Sequence, residues 1–320
     1  MRAFLIYLSQ AAWARRLVMR LGFARRAARR FVAGENIGEA LAAVRTLNAA
    51  GMLATLDLLG EHTGTPAEAA EAARKITEVL QKIAESGVKS GLSLKLTQIG
   101  LKMDEQLCEQ NLRLILQTAQ SLGLFVRIDM EDSGCVDSTV RLYRLMRKEG
   151  YANVGLVIQA YLYRSEADVM ALLQDYTRIR LVKGAYMEPP DRAFPAKADV
   201  DASFDRIADL MLHASLSAAA TTPADDATPA WPPLAAIATH DAKRIEFAKR
   251  HAGEIGLPKQ QMEFQMLFGI RRDLQKQLVD QGYPVRVYVP FGTEWYPYFM
   301  RRLAERPANL WFFLSNLIKQ

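Results

Sequence analysis

Short apolar runs alternate with longer amphipathic segments from Asn36 onward. The longer segments repeat apolar residues every three to four positions, which is typical of helices. The short runs are typical of buried strands bounded by turns. Helices are predicted over Ala67–Ile83, Asp104–Leu122 and Ala242–His251, and strands over Leu53–Leu58, Leu92–Leu96, Phe125–Ile128, Val154–Ile158, Ile179–Val182, Leu234–Ala238, Met262–Gln265 and Val285–Val289.

Eight strands that alternate with helices indicate an α/β protein with a closed parallel (βα)8 barrel, as in the TIM fold. The competing architecture is an open doubly wound sheet, which usually carries a Gly-x-Gly-x-x-Gly turn that this sequence lacks. Ala218–Pro233 is rich in alanine, threonine, proline and aspartate, and predicts a loop between a helix and a strand.

The charge distribution separates the N-terminus from the rest of the chain. The net charge is +6, but residues 1–33 contain eight arginines and no acid, so residues 34–320 carry a net charge of −2. A nearly neutral body argues against nucleic-acid binding. Leu17, Val18 and Leu21 share a helical face, which favours a basic amphipathic helix over a signal or transit sequence. We therefore predict a helical arm over residues 1–33 and a barrel domain over residues 34–320.

Cysteine, histidine and hydropathy patterns restrict the function further. The two cysteines are far apart and the four histidines lack metal-site spacing, so no metal site is predicted and a reducing compartment, the cytoplasm, is favoured. The longest uncharged stretches near the ends, Ala3–Ala14 and Ala308–Ile318, are shorter than the ~20 residues that a membrane span needs.

Almost every predicted strand ends in a charged or amide side chain. Because the carboxyl ends of barrel strands meet at one mouth, these side chains indicate a functional site there. Buried charges are costly unless they are paired or bind a ligand. The polar residues at or near these strand ends, a threonine and a tyrosine included, are Lys95, Asp129, Gln159, Arg180, Lys183, Thr239, His240, Gln265 and Tyr288.

Each of these features also has a purely structural interpretation. Lys95 is either a functional lysine or half of an ion pair with Asp129. The small residues after Lys183 suit a close backbone approach to a phosphate, although this signal is weak alone. Thr239-His240-Asp241, taken by itself, is better explained as a helix cap.

The last predicted helix carries a distinct group of side chains. If the helix starts near Thr293, Tyr298 shares a face with Arg301 and Arg302. A tyrosine ring beside two guanidinium groups suits a small molecule with a carboxylate and an apolar ring. The alternative is a basic surface helix, with Glu305 paired to one of the arginines.

Taken in order, these blocks resemble the proline dehydrogenase family, in particular its short monofunctional bacterial form. The resemblance covers roughly Phe31–Asn309. It rests on Leu94–Thr97, Arg127–Ser133, Gln159–Arg164, Arg180–Tyr186, Ala238–Asp241, Glu263–Leu267 and the stretch from Arg286 through Asn309.

This resemblance implies a distorted (βα)8 barrel that binds FAD at the strand ends, with the final helix lying over the barrel mouth. It implies that Arg180 lies near the flavin N5 and that Asp129 tunes the site. The residues implied to contact proline are Lys95, Tyr288, Tyr298, Arg301 and Arg302. Those implied to contact FAD are Met130, Gln159, Arg180, Lys183, Gly184, Ala185, Thr239, His240, Gln265 and Glu305.

The resemblance also implies the reaction and its partners. L-Proline would be oxidised to Δ1-pyrroline-5-carboxylate by hydride transfer to FAD, and the electrons would pass to a membrane quinone. A separate pyrroline-5-carboxylate dehydrogenase would take the product, because this chain is too short to contain one. The arginine-rich N-terminus and Trp311-Phe312-Phe313 suggest peripheral contact with the inner membrane, against the alternative that both pack on the barrel.

Two other functions remain open from the residues. One is a lysine-dependent aldolase on the same barrel, with Lys95 or Lys183 forming a Schiff base. The other is a non-catalytic, membrane-associated scaffold descended from the enzyme. A yellow protein that bleaches with proline would separate the dehydrogenase from both.

Overall fold

The strands of the chain close into a single eight-stranded parallel barrel in sequence order. The computed structural model describes residues 11, 13, 28–60, 63–219 and 231–305, without the side chains of residues 219 and 303–305. Each strand pairs with the next, and β8 pairs with β1. The strands are β1 Leu53–Leu58, β2 Ser90–Lys95, β3 Val126–Asp129, β4 Val154–Gln159, β5 Ile179–Val182, β6 Ala235–Ala238, β7 Met262–Leu267 and β8 Val285–Phe291.

Helices connect successive strands, and α9 follows the last strand. The described α-helices are α1 Ile37–Ala49, α2 Pro66–Ser86, α3 Glu105–Ser121, α4 Val136–Lys148, α5 Ser165–Leu173, α6 Lys197–Ala219, α7 Ala242–Glu254, α8 Arg272–Asp280 and α9 Trp295–Glu305. Short 3-10 turns cover Leu96–Ile99, Ser133–Cys135 and Lys259–Gln261. The predicted barrel is therefore confirmed, with an additional helix, α1, before the first strand.

The helix starts follow from local side-chain chemistry. Thr65 accepts a hydrogen bond from the backbone N–H of Glu68 at the start of α2, and Pro66 occupies the first turn. Asp104 and Asp241 cap α3 and α7 in the same way. Such caps satisfy N–H groups that have no partner within the helix.

Residues that alternate along the strands fill the barrel interior. In β8, for example, Arg286 alternates with the buried valines Val285 and Val287. Deep in the barrel, Nε of Arg286 lies 2.9 Å from a carboxylate oxygen of Glu263, and both residues are almost completely buried. Arg127 is also buried, and Nη1 donates to the carbonyl of Leu156 at 2.9 Å. The carboxylate of Glu263 and the backbone carbonyl of Leu156 offset part of the cost of burying these charges. Nη2 of Arg127 is buried and has no hydrogen-bond partner among the described residues.

The structure corrects several predicted boundaries by one to three residues. β2, for example, starts at Ser90, which pairs with Ala54, and ends at Lys95 rather than Leu96. α9 begins at Trp295, two residues after the predicted start. Pairing between neighbouring strands sets the limits of the strands, and this pairing is not visible in local hydrophobicity.

The predicted arm and loop are only partly covered by the described residues. At the end of the arm, Phe31 is buried and its ring centroid lies 6.2 Å from that of Phe299. The helical face at Leu17, like Trp311-Phe312-Phe313, lies outside the described residues. The prediction of a loop from Ala218 is wrong at its start, because α6 continues through Ala219, and residues 220–230 are outside the described part.

None of the described helices combines the length and the apolar character that a transmembrane span requires.

Candidate active site

The carboxyl ends of the strands and helix α9 enclose a cavity of about 670 Å³. This volume is within the range of about 300–1,000 Å³ that small-molecule sites occupy. The structure brings together there all but one of the residues that the sequence singled out. They are Lys95, Asp129, Met130, Gln159, Arg180, Lys183, Gly184, Ala185, Thr239, His240, Gln265, Tyr288, Tyr298, Arg301 and Arg302.

Glu305 is the exception. It is the last residue of α9, and its side chain lies outside the described residues, so its predicted flavin contact and its predicted ion pair with an arginine are not tested.

Asp129, at the end of β3, is the centre of the hydrogen-bond network at the mouth. Its Oδ1 accepts from the hydroxyl of Ser93 at 2.7 Å and from Nη1 of Arg180 at 2.8 Å. Its Oδ2 accepts from the hydroxyl of Tyr288 at 2.7 Å. Because these donors come from β2, β5 and β8, one buried carboxylate connects opposite sides of the barrel.

Lys95 lies between two carboxylates. Nζ of Lys95 is 3.6 Å from Oδ2 of Asp129 and 3.7 Å from Oδ1 of Asp57. The ion pair that was weighed as the structural interpretation of Lys95 is therefore present, although Lys95 also lines the cavity. A lysine that forms a Schiff base needs a free amine, whereas Nζ of Lys95 lies within ion-pair distance of two carboxylates.

Arg180 is oriented by a chain of side chains across the barrel. Its Nε donates to Oε1 of Gln265, and the amide nitrogen of Gln265 donates to Glu263. Because a guanidinium can only donate, Arg180 requires an acceptor, and the Gln265 amide presents its oxygen to Arg180 and its nitrogen to Glu263. Nη2 of Arg180 is buried and has no hydrogen-bond partner among the described residues.

Tyr288 closes the other side of this network. Its ring centroid lies 5.2 Å from the guanidinium carbon of Arg180, within cation–π range. Burial raises the pKa of the Tyr288 hydroxyl well above its ordinary value of 10, and the negative charges of Asp129 and Asp57 raise it further. Tyr288 is therefore a neutral hydrogen-bond donor at any physiological pH.

Lys183, which follows β5, is held by acids from the next two helices. Its Nζ donates to Oδ2 of Asp241 at 2.6 Å and also to Asp201 of α6. Burial alone would raise the pKa of Asp241, but Lys183, the N–H of Lys243 and the charge of Lys197 together lower it to about 2. Asp241 also caps α7, so the capping interpretation of this segment is confirmed for Asp241.

Gly184 has a backbone that strongly favours glycine. Its φ is +115°, and a Cβ at this position would lie 2.2 Å from a ring carbon of Tyr161. The expected close approach to a phosphate is not tested. The backbone and the neighbouring ring already require glycine here.

His240 and Gln159 are fixed by backbone groups. Nε2 of His240 accepts the N–H of Leu267 at 3.0 Å, so this ring nitrogen carries no proton. The amide nitrogen of Gln159 donates to the carbonyl of Glu131 at 2.8 Å. Both side chains therefore present defined faces to the cavity.

The last helix brings an aromatic and two basic side chains to the same space. Tyr298 is buried, and the guanidinium carbon of Arg302 lies 5.1 Å from its ring centroid. Arg301 is half-buried and also lines the cavity. α9 thus takes the position over the mouth that the resemblance implied.

The charges that line the cavity favour an anionic ligand. Six cationic side chains and only three carboxylates contribute to its surface. The apolar part comes from residues such as Val157, Val182 and Leu267. A ligand with a flat apolar body and several negative groups would match both properties.

Sequence reasoning missed several residues of this site. Asp57 interrupts an apolar strand in Leu-Asp-Leu just as Lys95 does in Leu-Lys-Leu, so the same pattern could have found it. Ser93, Asp201 and Lys197 gave no such signal, because a serine or a surface-type charge is common in any segment.

Comparisons with known proteins agree with this geometry. The family model described as proline dehydrogenase matches residues 40–313. Proline dehydrogenase 1 from Bacillus subtilis subsp. natto is 44% identical over 293 residues, covering 92% of this chain and 91% of the relative. Proline dehydrogenase from Deinococcus radiodurans is 41% identical over 296 residues, covering 91% and 90%.

A solved structure is also similar. The crystal structure of proline utilization A (PutA) from Bdellovibrio bacteriovorus, inactivated by N-propargylglycine, matches with a TM-score of 0.78 and 26% identity. The match covers 88% of this chain but only 33% of that one, so the chain spans about a third of the PutA length.

Proposed function

The chain belongs to the proline dehydrogenase family, and we propose that it oxidises L-proline to Δ1-pyrroline-5-carboxylate with a bound FAD. This is the first step of proline catabolism. The observation that carries the proposal is the single cavity in which the strand-end network around Asp129 meets Tyr298, Arg301 and Arg302 of α9.

The residues present fit a flavin dinucleotide. The cavity has an excess of cations for a pyrophosphate, and the buried Nη2 of Arg180 has no hydrogen-bond partner among the described residues, so it is available to an acceptor on a ligand. Flavin supplies the capacity to take up a hydride. Arg180, Gln159 and Gln265 would hold its ring system; Met130, Lys183, Gly184, Ala185, Thr239 and His240 would line the rest of its pocket, with Glu305 as a further contact.

The α9 side chains suit the substrate. Arg301 and Arg302 would bind the proline carboxylate through charge-assisted hydrogen bonds, each worth about 1.5–3 kcal/mol. Tyr298 would pack on the apolar ring, and Lys95 and Tyr288 would complete the wall opposite. Fixing the substrate in one orientation lowers the entropic part of the barrier to hydride transfer.

Oxidation removes two electrons and two protons from proline. The carbon next to nitrogen loses a hydride, and the amine loses one proton. The amine must be neutral before the C–H bond breaks, because the departing hydride leaves an iminium that the nitrogen lone pair forms. The carboxylate of Asp129 would balance the positive charges of Arg180 and Lys95 beside the reacting atoms. Its contacts would also hold Arg180, Lys95 and Tyr288 in place.

The remaining parts of the proposal concern organisation and partners. We propose a basic arm over residues 1–33, a barrel domain over residues 34–320, a membrane quinone as electron acceptor and a separate pyrroline-5-carboxylate dehydrogenase for the product. A cytoplasmic enzyme with peripheral contact at the inner membrane would have access to such a quinone. Binding of the purified chain to anionic vesicles at low salt tests the contact, and a protein that stays in solution contradicts it.

The visible spectrum of the purified chain tests the central proposal. We expect a yellow protein whose absorption bleaches on addition of proline and returns on addition of a quinone. A protein that stays colourless after incubation with FAD, or a yellow protein that does not bleach, would contradict it.

Arginine variants test the substrate assignment. Arg301→Met and Arg302→Met should each raise the KM for proline about ten- to a hundredfold, because each loses a charge-assisted bond, while the flavin content is unchanged. Arg206→Met, on the exposed surface of α6, is the matched control and should behave as the unaltered protein. Normal kinetics in both arginine variants would remove these residues from the substrate site.

The lysine-dependent aldolase is disfavoured by the two carboxylates beside Lys95. Borohydride trapping with a keto acid tests it directly. A covalent adduct on Lys95 or Lys183 would support the aldolase against the dehydrogenase.

A further inference from the structure

We propose that Asp209, His213 and His251 form a binding site for one divalent transition-metal ion between helices α6 and α7. One ligand atom from each of the three side chains lies within 4.8 Å of the others. The histidines are 38 positions apart in sequence, so no spacing rule identified them. The fold brings them together because α6 and α7 are neighbours on the outside of the barrel.

Two of the ligands come from one face of α6. Asp209 and His213 are four residues apart, so their side chains lie one above the other on the helix. Nε2 of His213 is 3.6 Å from Oδ1 of Asp209. From α7, Nε2 of His251 contacts the same carboxylate oxygen. Three potential donors therefore converge on one point from two rigid elements.

The ring of His251 is held in an orientation that suits a metal ligand. Its Nδ1 is 3.4 Å from Oε2 of Glu254, and the ring stacks on Phe247 at 5.8 Å. A ligating histidine usually donates its other ring N–H to a carboxylate, which fixes the tautomer. With the proton on Nδ1, Nε2 offers a lone pair toward Asp209. This Nε2 is buried and makes no hydrogen bond among the described residues.

The donor set and charge favour a transition metal. Two imidazoles and one carboxylate form a common three-ligand set for Zn²⁺, with water in the fourth position. In a tetrahedral site with bonds of about 2.1 Å, ligand atoms lie about 3.4 Å apart. Nε2 of His213 and Oδ1 of Asp209 already have about this spacing, whereas Nε2 of His251 is in direct contact with Oδ1 and would move away from it to admit an ion. Asp209 and Glu254 together balance a charge of +2. Half of the His213 side chain is exposed, which gives an ion and a water access.

The site is separate from the cavity at the barrel mouth, whose lining includes none of its ligands. An ion there would connect α6 to α7, the two helices that supply Asp201 and Asp241 to Lys183. The alternative to a metal is a protonated histidine that forms an ion pair with the acids.

Metal uptake by the full-length flavoprotein distinguishes these possibilities. After treatment with a chelator, the protein is dialysed against micromolar Zn²⁺, and bound zinc and flavin are measured on the same sample together with thermal unfolding. We expect one tightly bound Zn²⁺ per chain and an increase in Tm, because a ligand that binds only the folded state stabilises it.

His213→Ala and His251→Ala should abolish the bound zinc and the zinc-dependent Tm shift, with the flavin content unchanged. Glu246→Gln, an exposed acid of α7 outside the cluster, is the matched control and should retain both. If His251→Ala does not fold, the exposed His213→Ala decides the question. Failure of the unaltered protein to retain zinc, or retention of zinc by His213→Ala, overturns the proposal.

Discussion

Replacing Asp241 with asparagine should separate two functions of this side chain. Oδ1 of Asp241 accepts the N–H of Lys243 at 3.0 Å and caps α7, whereas Oδ2 accepts from Lys183 at 2.6 Å. Asparagine caps helices about as well as aspartate. The variant therefore retains the cap and removes the charge that holds Lys183.

The size of the effect follows from the pKa of Asp241. A value of about 2 in the folded protein, against 3.8 ordinarily, corresponds to about 2 kcal/mol of stability at neutral pH. The Asp241 side chain is 23% exposed, so solvent screens this interaction only in part. Because the folded-state pKa is the lower one, the contribution is complete above the unfolded pKa and is lost as the pH falls from about 4 to 2.

Urea unfolding of the flavin-free chain at pH 7 and pH 5 measures this contribution. Asp241→Asn should lower the free energy of unfolding by about 2 kcal/mol at both pH values. Asp273→Asn removes an exposed acid at the start of α8 and should change it by less than about 0.5 kcal/mol. A loss for Asp241→Asn no larger than that of the control, or a loss present at pH 7 but absent at pH 5, would refute the reasoning.

Three further substitutions probe the barrel interior. Tyr288→Phe removes the hydroxyl bound to the central aspartate and should lower kcat/KM about tenfold or more without loss of flavin. Glu263→Gln leaves the buried Arg286 without its counter-charge and should destabilise the protein by about 3–5 kcal/mol in urea unfolding. Gly184→Ala forces a Cβ against the ring of Tyr161 at positive φ and should lower Tm and flavin affinity.

The controls for these three are chosen from the surface. Tyr163→Phe loses an exposed hydroxyl that donates to the carbonyl of Pro190, and should leave kinetics unchanged. Glu246→Gln tests the loss of an exposed acid. Gly253→Ala adds a Cβ in open space within α7 and should be neutral or stabilising. If an interior variant behaves like its control, the contact that the variant removes or disturbs does not contribute to the property measured, and the prediction for that variant is wrong.

Local sequence patterns predicted the barrel because every strand is a short apolar run next to a longer amphipathic helix. β5, Ile179–Val182, agrees at both ends. The functional site at the barrel mouth was also predicted from local patterns. A lysine or aspartate that ends a buried strand needs a partner or a ligand, and in a closed barrel all such strand ends meet. Lys95 and Asp129 are the clearest instances.

Contacts between distant segments could not be predicted in this way. The position of Asp201 beside Lys183 depends on how α6 packs after β5, and Ser93 gains its meaning only from the carboxylate of Asp129 one strand away. The pairing of His213 with His251 likewise depends on the packing of α6 against α7. These positions follow from tertiary packing, to which a short sequence window is insensitive.

The cations around the cavity form two groups, one expected to affect mainly the stability of the fold and the other mainly the binding of a ligand. The strands and the helices that follow them supply Lys95, Arg180 and Lys183, and each of these cations has a carboxylate within ion-pair distance. α9 adds Arg301 and Arg302 to the lining and no carboxylate to it, so the last helix supplies two of the three excess positive charges of the cavity. Removing a barrel carboxylate should therefore weaken the fold first, because it leaves a buried cation without its partner. Removing an α9 arginine should weaken ligand binding first, and measuring both quantities on the same variants tests this division.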